Sequence, residues 1–185
     1  MNKEKIEKAV REILIGVGED PDREGLVETP ARVARMYEEL LDGYRREPAK
    51  HMAKQFTAPD SEFVLVKDIP FHSMCEHHML PFYGKGHIAY IPKDHKVVGL
   101  SKLARILEDI SLKLQLQERI TNDVANTIAN NLPVEGVFVV LEAEHMCMSI
   151  RGVHKEGAKT VTKCSLGCFQ TDKELRKEVF DMIRS

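Results

Sequence analysis

The sequence predicts an α+β fold: an antiparallel four-stranded sheet carrying a pair of helices, preceded by a helical N-terminal extension. Three observations predict it. Strand-type apolar runs come in two pairs, around residues 62–70 with 83–91 and around 136–142 with 158–164. Two amphipathic helical patterns stand between the pairs. Ahead of the first strand, residues 3–16 and the stretch from Thr29 to Tyr44 show helical periodicity, which lapses from Glu47 to Asp60. Strands in pairs around a helical pair suit a sheet covered on one face by helices. Residues 1–60 are therefore read as the extension and 61–185 as the sheet domain.

Taken in order, residues 3–16 place Ile6, Ala9, Val10, Ile13 and Leu14 at helical spacing and end at Gly16 and Gly18. Thr29-Pro30 reads as a hydroxyl cap followed by proline at the first helical position. The helix it opens should bury Val33, Met36, Tyr37, Leu40 and Tyr44, packing on the first helix or on a neighbouring subunit. Pro48 and Pro59 mark a connector running from Glu47 to Asp60. Phe63-Val64-Leu65-Val66 begins a strand that runs into a turn at Cys75, with Ser73 and Pro81 as turn residues. A second strand, thinned by Gly84 and Gly86, ends at the turn Pro92-Lys93-Asp94-His95. Ser101 is read as the cap of a helix bearing Leu103, Ile106, Leu107, Ile110 and Leu114. The next helix, 117–131, carries Ile120, Val124 and Ile128 and stops at Pro133. Val137-Phe138-Val139-Val140-Leu141 is a buried strand leading to His145, with 158–164 as its hairpin partner. Thr171-Asp172-Lys173-Glu174 is a capping box for a last helix with Leu175, Val179, Met182 and Ile183.

Composition narrows the function classes. The chain has 185 residues, enough for a real core. Its 27 basic and 29 acidic residues nearly balance, so no global field argues for nucleic acid or a membrane surface. No stretch has the length and apolarity of a membrane span, and the charged amphipathic start does not read as a signal peptide. Four cysteines clustered among histidines suit thiol ligands in a reduced, cytoplasmic protein better than a disulfide scaffold.

Cys75-Glu76-His77-His78 and His145-Met146-Cys147 together hold two thiols and three imidazoles, the side chains that bind zinc best. Cys75 and His78 converge on one ion only if the backbone turns between them. His145 and Cys147 share a face on an extended backbone, and Arg151 has the same parity. Three of these five as ligands would leave zinc an open, catalytic position. Cys75, Cys147, Cys164 and Cys168 could instead form a closed structural site, and spacing alone rates the two about even. The unused histidines beside both ligand pairs favour the open site. Lys102 and Arg105, in the first turn of a helix capped at Ser101, make an anion site when taken with the free backbone N–H groups there. Solvated surface charge is the commoner fate of such a pair. Gln117-Glu118 opens the second helix, where a carboxylate ordinarily complements the dipole but can also accept guanine N1–H and 2-amino hydrogens. Glu76 is either an orienting neighbour of the metal or solvated.

Ser73-Met74-Cys75-Glu76-His77-His78, Tyr90-Ile91-Pro92 and Gly99-Leu100-Ser101-Lys102-Leu103-Ala104-Arg105 resemble motifs of GTP cyclohydrolase I. So do Gln115-Leu116-Gln117-Glu118-Arg119-Ile120-Thr121, His145-Met146-Cys147-Met148 and Arg151-Gly152-Val153, while Thr29-Pro30-Ala31-Arg32 and Tyr37 resemble the family's helical extension. The resemblance implies the tunnelling fold (T-fold) and zinc on Cys75, His78 and Cys147. It implies proton transfer by His77 and His145. Guanine would be read by Glu118 with Gln117 beside it, and triphosphate held by Ser101, Lys102, Arg105 and Arg151, the last reaching in from a neighbouring subunit. It further implies GTP as substrate and a toroidal homodecamer with sites at subunit interfaces. The chain departs from the family pattern at Ser165-Leu166 and His154, where arginine is common, and Cys164 and Cys168 match no family chemistry. Two other readings, a same-fold nitrile reductase and a zinc-stapled purine binder, lack respectively a placed nucleophile and a use for two free histidines.

Overall fold

In a computed structural model, described over residues 1–59 and 61–185, the chain begins with two antiparallel helices, α1 (Lys3–Gly16) and α2 (Thr29–Leu40). Asp60, the last residue of the expected connector, lies outside the described residues. Glu28, not Thr29, occupies the cap position of α2, and Pro30 sits in its first turn. The apolar stripes of this pair are only partly covered: Ala34 alone is buried, while Ile13 and Met36 stand exposed, and Tyr44, expected on the buried face of α2, lies beyond its end and is exposed. Two short 3₁₀ turns, Asp42–Arg45 and Pro48–Met52, then carry the chain onto the sheet domain.

The strands open with β1 (Gln55–Thr57), inside the stretch expected to be a connector, and the long β2 (Val64–Cys75). Then follow β3 (Pro81–Pro92), β4 (Lys96–Val98), α3 (Leu100–Ser111), β5 (Leu114–Gln115) and α4 (Gln117–Asn131). The chain ends with β6 (Val134–His145), α5 (Met146–Ser149), β7 (Lys159–Gly167), α6 (Cys168–Thr171) and α7 (Lys173–Arg184). The main sheet has the order β5-β2-β3-β6-β7. Its four long strands are antiparallel as expected, and the two-residue β5 adds to β2 in parallel. A separate ribbon joins β1 to β4.

Period-two patterning decides the faces. Phe82, Ile88 and Tyr90 of β3 and Val137, Val139 and Leu141 of β6 meet Leu103, Ile106, Leu107, Ile120, Val124 and Ile128 of the helix pair in the main core. Ala89, Phe138 and Val140 face the other way, onto Phe169 and Val179 of α6 and α7. Gly86 of β3 is explained by α3: a Cβ there would stand 2.5 Å from Leu107 Cδ2. At Gly84 a Cβ would run into the carbonyl of Glu142 on β6, so the two strands pack backbone to backbone there.

Four sequence expectations shift. Ser73 is not a turn residue; it is buried in β2 and donates its hydroxyl to the carbonyl of Ser111, 2.6 Å away. Gly99 rather than Ser101 is the cap of α3, leaving Ser101 in the first turn. Leu114 belongs to β5, beyond the end of α3. Asp172 caps α7 by accepting from the N–H of Leu175, while Thr171 closes α6.

Candidate active site

β2 ends at Cys75, and the chain turns back through residues 76–80 before β3 starts at Pro81. The N–H of Cys75 donates to Leu80 and that of Met79 to Cys75, each at 2.8 Å, and Met79 takes φ 54°. This turn swings His78 back over Cys75, the convergence that three-residue spacing requires. On the other side, β6 pairs with β3 as far as His145 opposite Phe82. The strand stops because β3 itself begins at Pro81, which offers no N–H for further pairing. Beyond His145 the chain winds one helical turn, α5, instead of staying extended. The expected strand parity of His145, Cys147 and Arg151 is therefore not what is found; the helical turn aims Cys147 at Cys75.

The ligand atoms of Cys75, His78 and Cys147 all lie within 4.8 Å of one another. Burial and then the neighbouring Cys75 hold the Cys147 thiol above the usual thiol range. A dication at this point would reverse that balance and draw the Cys147 proton off. Two sulfurs and an imidazole suit zinc, and three protein donors would leave such an ion a position for water or substrate. Cys164 lies elsewhere, opposite Val139 in the β6–β7 pairing, and Cys168 begins α6 beside the second core. Among the described residues the closed four-cysteine site does not form.

His145 is half buried and stacks on Phe82, centroids 4.4 Å apart and planes at 6°. Its Nε2 lies 2.8 Å from Oε1 of the buried Gln117. The Gln117 amide nitrogen faces the carbonyls of Leu141 and Thr160 and the hydroxyl of Thr162, each at 3.1 Å. Thr121 donates to the carbonyl of Gln117 and pairs with Thr162 at 2.6 Å, which leaves Thr162 free to accept from the amide. This network fixes the amide orientation, so Oε1 is the acceptor and His145 Nε2 carries the proton. The Gln117 side chain thus makes all of these hydrogen bonds inside the protein, beside the exposed Glu118 with which it was expected to meet substrate. Burial pushes the His145 pKa down, against an opposing pull from Glu118.

Glu118, one residue on, is exposed in the first turn of α4. His77 is exposed beside His78, ring centroids 6.4 Å apart. The guanidinium of Arg151 lies 2.9 Å from Nε2 of His78 in the same chain, so here it meets a histidine of its own cluster. Ser101, Lys102 and Arg105 are not brought to this cluster. They occupy the start of α3, whose far end, Ser111, touches the β2 segment beside Cys75. Ser101 and Ser111 are roughly 15 Å apart along that helix. The two groups of candidate residues therefore stand at opposite ends of the helix pair.

The sequence model of GTP cyclohydrolase I matches residues 6–184. Over 185 residues the chain is 56% identical to GTP cyclohydrolase 1 of Bacillus pumilus (strain SAFR-032), covering all of this chain and 98% of that one. The chain belongs to the GTP cyclohydrolase I family. Its identity to the Bacillus subtilis (strain 168) family member is also 56%, over 184 residues with 100% and 97% coverage. The family member of Listeria monocytogenes serotype 4a (strain HCC23) is 53% identical over 184 residues, with 100% and 97% coverage. Among solved structures, an archaeosine synthase QueF-Like in the apo form aligns at TM-score 0.48 and 14% identity, over 60% of this chain and 97% of that one. The GTP cyclohydrolase I match spans both groups of candidate residues and the two N-terminal helices. Within the family frame, two features were not legible as motifs. Phe82 gave only an aromatic beside Pro81, and the Thr121–Thr162 support of Gln117 gave no sequence signal.

Proposed function

We propose that this chain hydrolyses GTP at guanine C8, releases C8 as formate and rearranges the product to 7,8-dihydroneopterin triphosphate, with a zinc ion held by Cys75, His78 and Cys147. The observation that carries the reading is the convergence of Cys75, His78 and Cys147, with His145 ending the strand beside it, in a chain of this family. Zinc, when bound there, supplies a Lewis acid that makes water available as hydroxide near neutral pH. Glu118 accepts the N1–H and 2-amino hydrogens of guanine and turns C8 toward the cysteine–histidine cluster. His145 enters as neutral imidazole with Nε2–H kept on Gln117, so Nδ1 takes the proton from the water adding at C8 and returns it to N7 as the ring opens. His77 is placed for the further transfers of the second hydrolysis and of ribose opening. The ribose then recloses onto the diamine.

Ser101, Lys102 and Arg105 hold the triphosphate, which does not react; its binding energy positions the ring. Their separation from Cys75 supports a site completed by a neighbouring subunit, as in the family's toroidal homodecamer. No helix of the described residues is long and apolar enough to cross a membrane.

The direct test follows formate and pteridine absorbance together on zinc-loaded protein given GTP. Equal amounts are expected. Formate without pteridine would leave a ring-opening enzyme that stops early, and neither product would overturn the reading. The divided site has its own test. Cys147→Ala and the double variant Lys102→Ala/Arg105→Ala are each expected to be inactive alone. Assembled together at equal ratio they should regain about a quarter of wild-type turnover, because random mixing leaves that share of interfaces intact. No recovery would mean that both halves act within one chain.

A further inference from the structure

The turn 76–79 carries a metal ligand and a proton-transfer histidine, yet all four of its side chains are exposed. Among the described residues only two side-chain ties hold this turn to other elements. One is Arg151 on His78. The other is Glu76, which accepts from Arg119 through both carboxylate oxygens, Nη1 to Oε2 at 2.7 Å and Nη2 to Oε1 at 3.2 Å. Arg119 follows Glu118 in the first turn of α4, and its Nη1 also donates to Oε1 of Gln115 at 3.3 Å. Gln115 is buried: its backbone accepts from the N–H of Glu76 at 3.1 Å, it pairs with Cys75 in the parallel β2–β5 ladder, and its amide donates to the carbonyl of Ile110.

From this geometry we infer that Glu76 and Arg119 form a positioning pair, a clasp that fixes the metal-binding turn against the start of α4. The inference deepens the zinc reading of the same site. A forked guanidinium on a carboxylate sets direction as well as distance, which a lysine does not. The clasp therefore sets where His77 and His78 stand relative to Glu118. A salt bridge between two exposed chains contributes little to global stability. Its effect is instead expected at the turn it preorganises, as for other groups that orient metal ligands without touching the metal.

The test compares Glu76→Gln, Arg119→Lys, Arg119→Gln and the reversal Glu76→Arg/Arg119→Glu in the full assembly. Zinc affinity is measured by competition with a chromophoric chelator, and turnover at saturating zinc is measured separately. Each single variant should bind zinc about tenfold more weakly. Its kcat should fall by a similar factor at unchanged melting temperature, and the reversal should recover most of both. Single variants with wild-type zinc affinity would overturn the clasp, as would a reversal no better than the singles. The affinity measurement needs no GTP, so failure of the clasp and failure of the catalytic reading are separable.

Discussion

Cys147→Ala is expected to abolish formate release, a loss of at least about 10⁴-fold, while the assembly stays folded. The site offers three protein donors, and removing one leaves Cys75 and His78, too few to hold zinc against water and chelators. Cys147 packs against the core only in part, so the truncation leaves little cavity behind. Zinc per subunit should fall to background, with a melting temperature close to that of metal-free wild-type protein. Removing the metal from wild-type protein should reproduce the loss of turnover. It should also raise the count of thiols that react with a disulfide reagent, because Cys75 and Cys147 revert to an unmetallated pair. Readdition of zinc should restore wild-type protein and not the variant. Full activity in zinc-depleted Cys147→Ala protein would remove the metal from the mechanism.

Part of this site was legible in the residues and part was not, and the division has a physical cause. Ile120, Val124 and Ile128 repeat at helical spacing, and α4 runs from Gln117 to Asn131 as expected, because local period is a property of the chain itself. The choice between an open and a closed metal site was different. It depends on whether Cys164 reaches Cys147, which the β6–β7 register decides by setting Cys164 opposite Val139. Six residues of strand, about 20 Å, then separate that position from His145. Register is a long-range property, so spacing left the two sites even, and only the spare histidines and then the family resemblance favoured the open one. Ser101 read as a cap for a related reason: a hydroxyl near a helix start is informative, but Gly99 and Ser101 differ by less than the precision of any boundary reading. Arg119 gave no signal at all, since an arginine in an opening helical turn is ordinary until Glu76 is seen across from it.

His145→Ala is the second large effect: kcat should fall about 10³-fold, with zinc content and GTP affinity retained. The chain holds this imidazole unusually well. Phe82 covers one face, and Gln117 fixes the proton on Nε2 through an amide that cannot turn over without setting its oxygen against two carbonyls. Burial lowers the pKa of His145, so the neutral form, the one able to accept a proton at Nδ1, dominates at neutral pH. The sign follows. As pH falls through that lowered pKa, His145 becomes cationic and turnover should drop, giving an acid limb to kcat that the His145→Ala variant lacks. The same shift acts on stability: the unfolded imidazole protonates first, so this residue destabilises the fold once pH falls below the ordinary histidine range. Gln117→Ala should sit between wild type and His145→Ala, because it removes the tautomer restraint and leaves the ring. Rescue by Gln117→Asn is not expected, since the shorter amide cannot reach both His145 and the β6–β7 carbonyls. Wild-type formate release by His145→Ala would pass the proton transfer to His77, the exposed imidazole on the turn that Glu76 anchors.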